Sequence, residues 1–530
     1  MGRYVCRLIA KLRQPIALTL SHRDTINVKR ASVMKYIPRV LLISTVLFVT
    51  RVWAADPIDV GSHKQLVLDG LFLAESQGVR LKIYPPRKTG EVILRPEHEW
   101  ESASLNWFNV VQDQGRIDTD AKYRMWYEAY DVDGWPTADD TSFCYAESRD
   151  GIRWTKSEVG KFSYKGSERN NILFRQVGSK EQGNRSRVHG TGVFIDPQAA
   201  PERRYKAVGQ GLFDRPGQRP HRIAGMFSAD GLKWTRLPRP ISDRFADSQY
   251  SGFWDPSRER YVLFGRVGGR GRSLGQSEST DFSRFEPLKL VVQTDHRDPP
   301  NSDLYNSAAI KYAYAPNVYL MFPSLYQHRP DTLDIRLAVS RDGIHWSRPD
   351  RQAAYIPLGK AKAFDSGSLY MGQGMIRVQD ELWLYYSGSP LKHQEAELEN
   401  FEKPGNARVY SRVVAQLDRF VAAAAGASGG AFTSPSLRFN GDTLKLNVLV
   451  HRGGHVRIGL LDADGQALPK YSVSDCEPIV GDSLGQTVQW KSGSDVSSLA
   501  TKPTRLRVEM SNAQLFGFQF TSDESRSKTR

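Results

Sequence analysis

Cysteine is scarce, three in 530 residues, which excludes a fold stapled by disulfides. No stretch stays apolar over the roughly 20 residues that a bilayer-spanning helix needs; the most apolar run, Val40–Val49, has ten. Also missing are the P-loop, the Gly-rich dinucleotide fingerprint, the zincin histidine pair and the Gly-x-Ser-x-Gly elbow. His98-Glu99 has no second histidine at zinc spacing, so no metal site is implied. Neither a cofactor nor a metal is expected. Helical periodicity is almost absent before residue 390, with Gln394–Phe401 the one short candidate.

Aromatic residues are plentiful: 11 Trp, 22 Tyr and 23 Phe. That much ring surface must be buried, which excludes disorder. The length allows roughly two to four units. A net charge of +15 points first to nucleic acid, but its distribution removes that partner. The ten basic residues and one acid of residues 1–54 account for nine of the fifteen charges, leaving +6 on the other 476 residues.

Those first residues read as a leader. Met34 opens a better-formed N-terminus: Lys35 and Arg39 precede the Val40–Val49 run, and Val52-Trp53-Ala54 places small residues at −3 and −1. This is the order of a secretory signal peptide with cleavage after Ala54. The chain is therefore expected outside the cytoplasm, without stable membrane insertion after cleavage, and as a monomer. Only Cys144 and Cys476 would remain, read as two buried thiols.

Repeats set the architecture. Ser148-Arg149-Asp150-Gly151-Ile152-Arg153-Trp154 recurs at Ser228–Trp234 and Ser340–Trp346, with a worn copy at Ser279–Phe285. Asp accepting backbone N–H groups, Gly at φ > 0 and a Trp folding back describe a hairpin turn, so these aspartates are structural. Aromatic-led strands recur at Tyr123, Tyr205, Tyr261, Tyr319 and Trp383, beginning 82, 56, 58 and 64 residues apart. Five sheet units of that length predict an all-β fold with a five-bladed β-propeller over residues 55–420. The segment 421–432, rich in Ala and Gly, reads as a linker. Short alternating strands over 433–521 predict a C-terminal β-sandwich, and 522–530 a polar tail.

In a propeller the innermost strands line the channel, so the residues just ahead of them are the candidates for chemistry. These are Glu101, His189, Asp247, Asp303 and Asp365, which precede the marker aromatics by 22, 16, 14, 16 and 18 residues. Similar offsets give similar depth, and ring closure would bring them to one mouth. Clustered carboxylates suit glycoside hydrolysis, which needs one carboxylate as base or nucleophile and one carboxylic acid as proton donor. Asp247, Asp303 and Glu101 are the catalytic candidates, their individual roles open. Asp365, His189, Tyr305, Trp254, Arg266 and His328 are the substrate-binding candidates, with Arg124 nearby. Gly268-Gly269-Arg270-Gly271-Arg272 reads as a hairpin turn.

Phe253-Trp254-Asp255-Pro256, Asp303–Ala309 (DLYNSAA), Tyr319–Ser324 (YLMFPS), Phe364-Asp365-Ser366-Gly367, Asp475–Ile479 (DCEPI) and Phe516–Phe520 (FGFQF) carry a resemblance. Over residues 60–520 the chain resembles exported bacterial proteins whose domain is similar to the N-terminal domain of glycoside hydrolase family 32. That domain belongs to the five-bladed clan that includes family 43. The Trp-Met-Asn-Asp-Pro block of family 32 is missing after residue 55, and Arg297-Asp298-Pro299 falls ahead of the fourth unit rather than in the second. Fructan specificity is therefore not implied. What is implied is a glycosidase-like protein with a polysaccharide or oligosaccharide partner; the alternatives are a non-catalytic carbohydrate-binding propeller or an envelope interaction scaffold.

Overall fold

The computed structural model describes residues 56–522, apart from 115–119, 133–140, 176–187, 214–220, 245–246, 248, 396–399, 401–402 and 404. The expected leader, most of the candidate helix and the tail after residue 522 lie outside the described residues.

The chain is all-β in a propeller-like arrangement. Four separate four-stranded antiparallel sheets follow one another, each a meander beginning at its inner strand. The first runs Ser104–Gln112, Tyr123–Tyr130, Thr141–Ser148 and Ile172–Phe174. The second runs Gly192–Ile195, Tyr205–Leu212, His221–Ser228 and Thr235–Arg236. The third runs Ser251–Asp255, Arg260–Gly269, Gly271–Ser279 and Lys289–Val292. The fourth runs Ile310–Lys311, Tyr319–Met321, Ala338–Ser340 and Trp346–Ser347. A further meander, Ser368–Met371, Glu381–Ser389 and Val409–Gln416, takes its outer strand from Arg87–Leu94, near the start of the described chain. It lies inside a larger sheet that also holds Ser302–Leu304, Ser324–Gln327 and Thr332–Ile335.

Each meander packs face to face on the next. Trp126 and Tyr145 of the first meet Tyr205 and Met226 of the second. Val208 and Ile223 meet Tyr261 and Leu263, and Val262 and Phe264 meet Met321 and Ala338. Leu320 and Val339 meet Leu369 and Leu384, and Tyr385 and Val414 return to Phe108 and Met125 of the first.

The repeated turn is what its residues predicted. Ser228 Oγ accepts from Gly231 N at 2.9 Å, and Asp230 Oδ1 accepts from Leu232 N and Lys233 N, both at 2.8 Å. The copies at Ser148 and Ser340 repeat these bonds. Gly231 sits at φ +72, and a Cβ there would stand 2.7 Å from the Trp126 ring. A second repeated device joins neighbouring meanders through the marker tyrosines. Tyr205 donates to Asp113, Tyr261 to Asp196 at 2.7 Å and Tyr319 to Asp255 at 2.6 Å, each aspartate ending or just following the inner strand of the preceding meander.

Two boundaries differ from expectation. Val421–Ala425 is not a linker but a buried strand, paired with Arg80–Ile83 on one side and with Ala513–Leu515 on the other. Its alanines are small because both edges and a packed face are occupied; composition alone cannot separate that from a flexible joint. Residues 58–83 do not belong to the propeller either: their four strands pair with strands after residue 420. Together they build a second all-β unit with its own core of Phe432, Leu446, Ile458, Trp490, Val508 and Phe520. Asp418 ties it to the meanders, accepting from Lys64 Nζ and Tyr312 Oη, both at 2.5 Å. Cys144 and Cys476 are buried free thiols.

Candidate active site

Three meanders converge on His189. It lies three residues ahead of its inner strand, and its side chain is buried. Its Nδ1 stands 3.0 Å from Glu128 Oε1 and its Nε2 3.0 Å from Asp247 Oδ1. Glu128 comes from the second strand of the first meander and is 1% exposed; it also accepts from Tyr130 Oη and, at 2.9 Å, from Gly190 N. Asp247 precedes the third meander's inner strand, and its Oδ2 accepts from Arg266 Nη2 at 2.6 Å. With a carboxylate oxygen facing each ring nitrogen, a neutral ring and two ionised carboxylates would set a lone pair against an anion. A single added proton, on the ring or on either carboxylate, would let Glu128, His189 and Asp247 form a continuous hydrogen-bonded set.

Asp303 lies on Ser302–Leu304 and is nearly buried. Its Oδ2 accepts from Arg272 Nη1 at 2.8 Å and faces His328 Nε2 at 3.0 Å. Arg272 stands immediately after the hairpin that turns at Gly269–Gly271, whose glycines let that backbone approach Asp303. Gly271 has φ +72, and a Cβ there would lie 1.7 Å from Asp303 Oδ1.

Asp247 and Asp303 line one cavity of about 430 Å³ with Arg244, Arg266, Arg272, Val267, Gly268 and Gly271. Tyr305 lies behind it, with Arg272 at 4.8 Å and Arg266 at 6.0 Å from its ring centre. Tyr305 Oη stands 2.9 Å from His393 Nε2, and Tyr370 Oη 3.0 Å from His393 Nδ1. Burial among these rings, with Arg272 and Arg408 close by, lowers the His393 pKa to about 4. Trp107 packs edge-on against both Tyr370 and His189.

The structure thus gathers Asp247, Asp303, His189, Arg266, His328 and Tyr305. It leaves three candidates elsewhere. Glu101 is 0% exposed and its carboxylate is used up internally: it accepts from Glu97 N at 2.8 Å, Tyr127 Oη at 2.6 Å and Lys156 Nζ at 2.7 Å. Asp365 holds the closing strand, pairing with Lys88 Nζ at 2.7 Å and accepting from Tyr386 Oη at 2.9 Å. Trp254 lines a different cavity of about 1120 Å³, with Val110, Ile195, Lys311 and Met375. Arg124 is likewise internal, packed over the Trp126, Tyr145 and Tyr205 rings. Asp298 of the Arg-Asp-Pro triplet is a buried partner of Arg348.

Sequence reading missed Glu128, Arg272, Arg244 and His393. Glu128 is the one acid inside the apolar strand YRMWYEAY, and that was a usable signal. Arg272 was hidden because a Gly-rich hairpin explains itself without it. His393 lies after its meander's second strand, where no offset from a marker aromatic points.

No family model matches the chain, and no curated protein matches it. Solved structures do. A thermostable family-43 glycoside hydrolase is 12% identical over 60% of this chain and 92% of its own, with a TM-score of 0.40. A member of the GH130 family of mannoside phosphorylases, which contains glycoside hydrolases targeting β-1,2-mannosidic linkages in Candida mannan, is 12% identical over 67% and 96%, TM-score 0.43. An N-acetylgalactosamine deacetylase from F. plautii, in complex with blood group B trisaccharide, is 15% identical over 65% and 97%, TM-score 0.39. At these identities and TM-scores the matches assign neither family nor activity. The resemblance to family 32 rests on the motifs alone.

Proposed function

We propose that this is an exported glycan-active protein, a glycoside hydrolase acting on an extracellular or cell-surface polysaccharide without a cofactor. One observation carries it: Asp247, ahead of the third meander, and Asp303, on Ser302–Leu304, line one polar cavity backed by buried rings. Asp303, paired with Arg272, is the base or nucleophile at the anomeric carbon. Asp247, fed from His189 and Glu128, passes the shared proton to the leaving oxygen. Tyr305 supports the cavity, and Arg266 and His328 orient the two acids. The motifs and the packing of successive meanders support five blades and a C-terminal sandwich; the N-terminal pattern supports export. The test is release of oligosaccharides from a glycan panel by the protein and its D247N and D303N variants.

A second reading rests on Arg266 and Arg272 themselves. A guanidinium 2.6 Å from Asp247 and another 2.8 Å from Asp303 pair each acid with a cation. A propeller that binds glycan without cleaving it would look the same. Binding with no released product in any panel member would favour it. An apolar interaction scaffold fits poorly, since five of the eight residues lining the cavity are charged.

A further inference from the structure

The charge around Asp247 and Asp303 does not balance. Three guanidinium groups, those of Arg244, Arg266 and Arg272, line the cavity with two carboxylates. Arg266 and Arg272 are each matched by an aspartate. Arg244 is exposed and has no carboxylate partner among the described residues. A fourth guanidinium, that of Arg408, is 4% exposed. It stands 4.8 Å from the centre of the Tyr370 ring and donates to the Ser368 hydroxyl at 2.9 Å and carbonyl at 3.4 Å. It too has no carboxylate partner among the described residues. Arginine stays protonated in proteins, so Arg244 in the cavity and Arg408 against the Tyr370 ring each lack a carboxylate of their own among the described residues.

A neutral sugar gives such cations little to do. Its hydroxyls are satisfied by carboxylates, amides and aromatic faces, and glycosidic cleavage develops positive charge at the anomeric carbon. Surplus guanidinium opposes that charge unless the substrate brings an anion of its own. The planar fork of arginine fits a carboxylate or an oxyanion ester with two parallel hydrogen bonds.

We propose that, granted the glycan reading of this cavity, its ligand is an anionic glycan whose carboxylate or sulfate ester faces Arg244. The excess of guanidinium selects the charged sugar, and the aspartates act on the bond beside it.

Matched pairs test this. Binding of the full chain is measured to polygalacturonate oligosaccharides and their methyl esters, and to sulfated galactan oligosaccharides and their desulfated forms. The charged member of at least one pair is expected to bind about tenfold or more tightly, and the stronger pair names the anion. R244A is expected to remove that preference, whereas R438A, at an exposed arginine of the second unit, keeps it. Equal binding of neutral and charged members overturns the anion inference and leaves the glycan reading standing. A preference that R244A and R438A weaken alike also overturns it, because overall charge then explains the attraction. Failure of every glycan, charged or neutral, overturns both.

Discussion

His189 and Asp247 meet across two meanders, Nε2 to Oδ1 at 3.0 Å, while Glu128 holds the opposite ring nitrogen at 3.0 Å. A proton shared along that set is what a leaving oxygen needs. H189Q and E128Q are expected to slow cleavage of natural glycans about 10²-fold or more. They should slow aryl glycosides with good leaving groups far less, because those need no proton. Equal losses on both substrates would show that the set only supports the cavity.

Asp303 is predicted to matter for every leaving group. D303N removes the charge that stabilises the anomeric centre, and a loss of about 10³-fold is expected on activated and natural substrates alike. Near-normal initial rates for D303N would remove it from the chemistry.

Glu101 is predicted to matter for stability and not for turnover. E101Q leaves Lys156 buried with a weakened partner, a change expected to cost about 3 kcal/mol. Thermal melting should show the loss, while the rate per folded molecule stays at the wild-type level. An unshifted melt with lost activity would return Glu101 to the catalytic set.

The repeated turn gives a backbone test. G231A places a Cβ at φ +72 and 2.7 Å from the Trp126 ring, expected to cost about 2–4 kcal/mol. G485A has open space around it and is expected to change stability by about 0.5 kcal/mol or less. Equal melting temperatures for the two would refute the turn's role.

His393 gives a pH prediction. Its folded pKa of about 4 lies below its ordinary 6.5, so between those values the unfolded chain binds the extra proton. Stability tied to this group is full above pH 6.5 and is lost as pH falls towards 4. Chemical denaturation at pH 7 and pH 5 should show a smaller acid loss in H393N than in wild type, by on the order of 1–2 kcal/mol. Identical acid losses would contradict it.

How much was legible in the sequence varies with scale. The meanders were legible because each carries its own aromatic-led strand and Asp-Gly turn, both local signals. Offsets from those strands picked out His189, Asp247 and Asp303, which the fold brings together, since strand geometry converts spacing into depth. The same offsets failed for Glu101 and Asp365, because depth does not say which way a side chain turns. Glu101 turns into the Tyr127–Lys156 contact and Asp365 towards Lys88 on the closing strand. That closure joins residues hundreds of positions apart, and no local pattern announces it. The Ala-rich strand Val421–Ala425 failed for a related reason: its small residues answer to neighbours far away in the chain.

The most direct test of the central claim is mass spectrometry of oligosaccharides released when the protein meets a panel of plant, algal and microbial glycans, with D247N/D303N in parallel. A defined product is expected from at least one glycan, absent with the double variant. Equal release by both proteins would contradict the assignment of this cavity, and no release from any glycan would contradict hydrolysis itself.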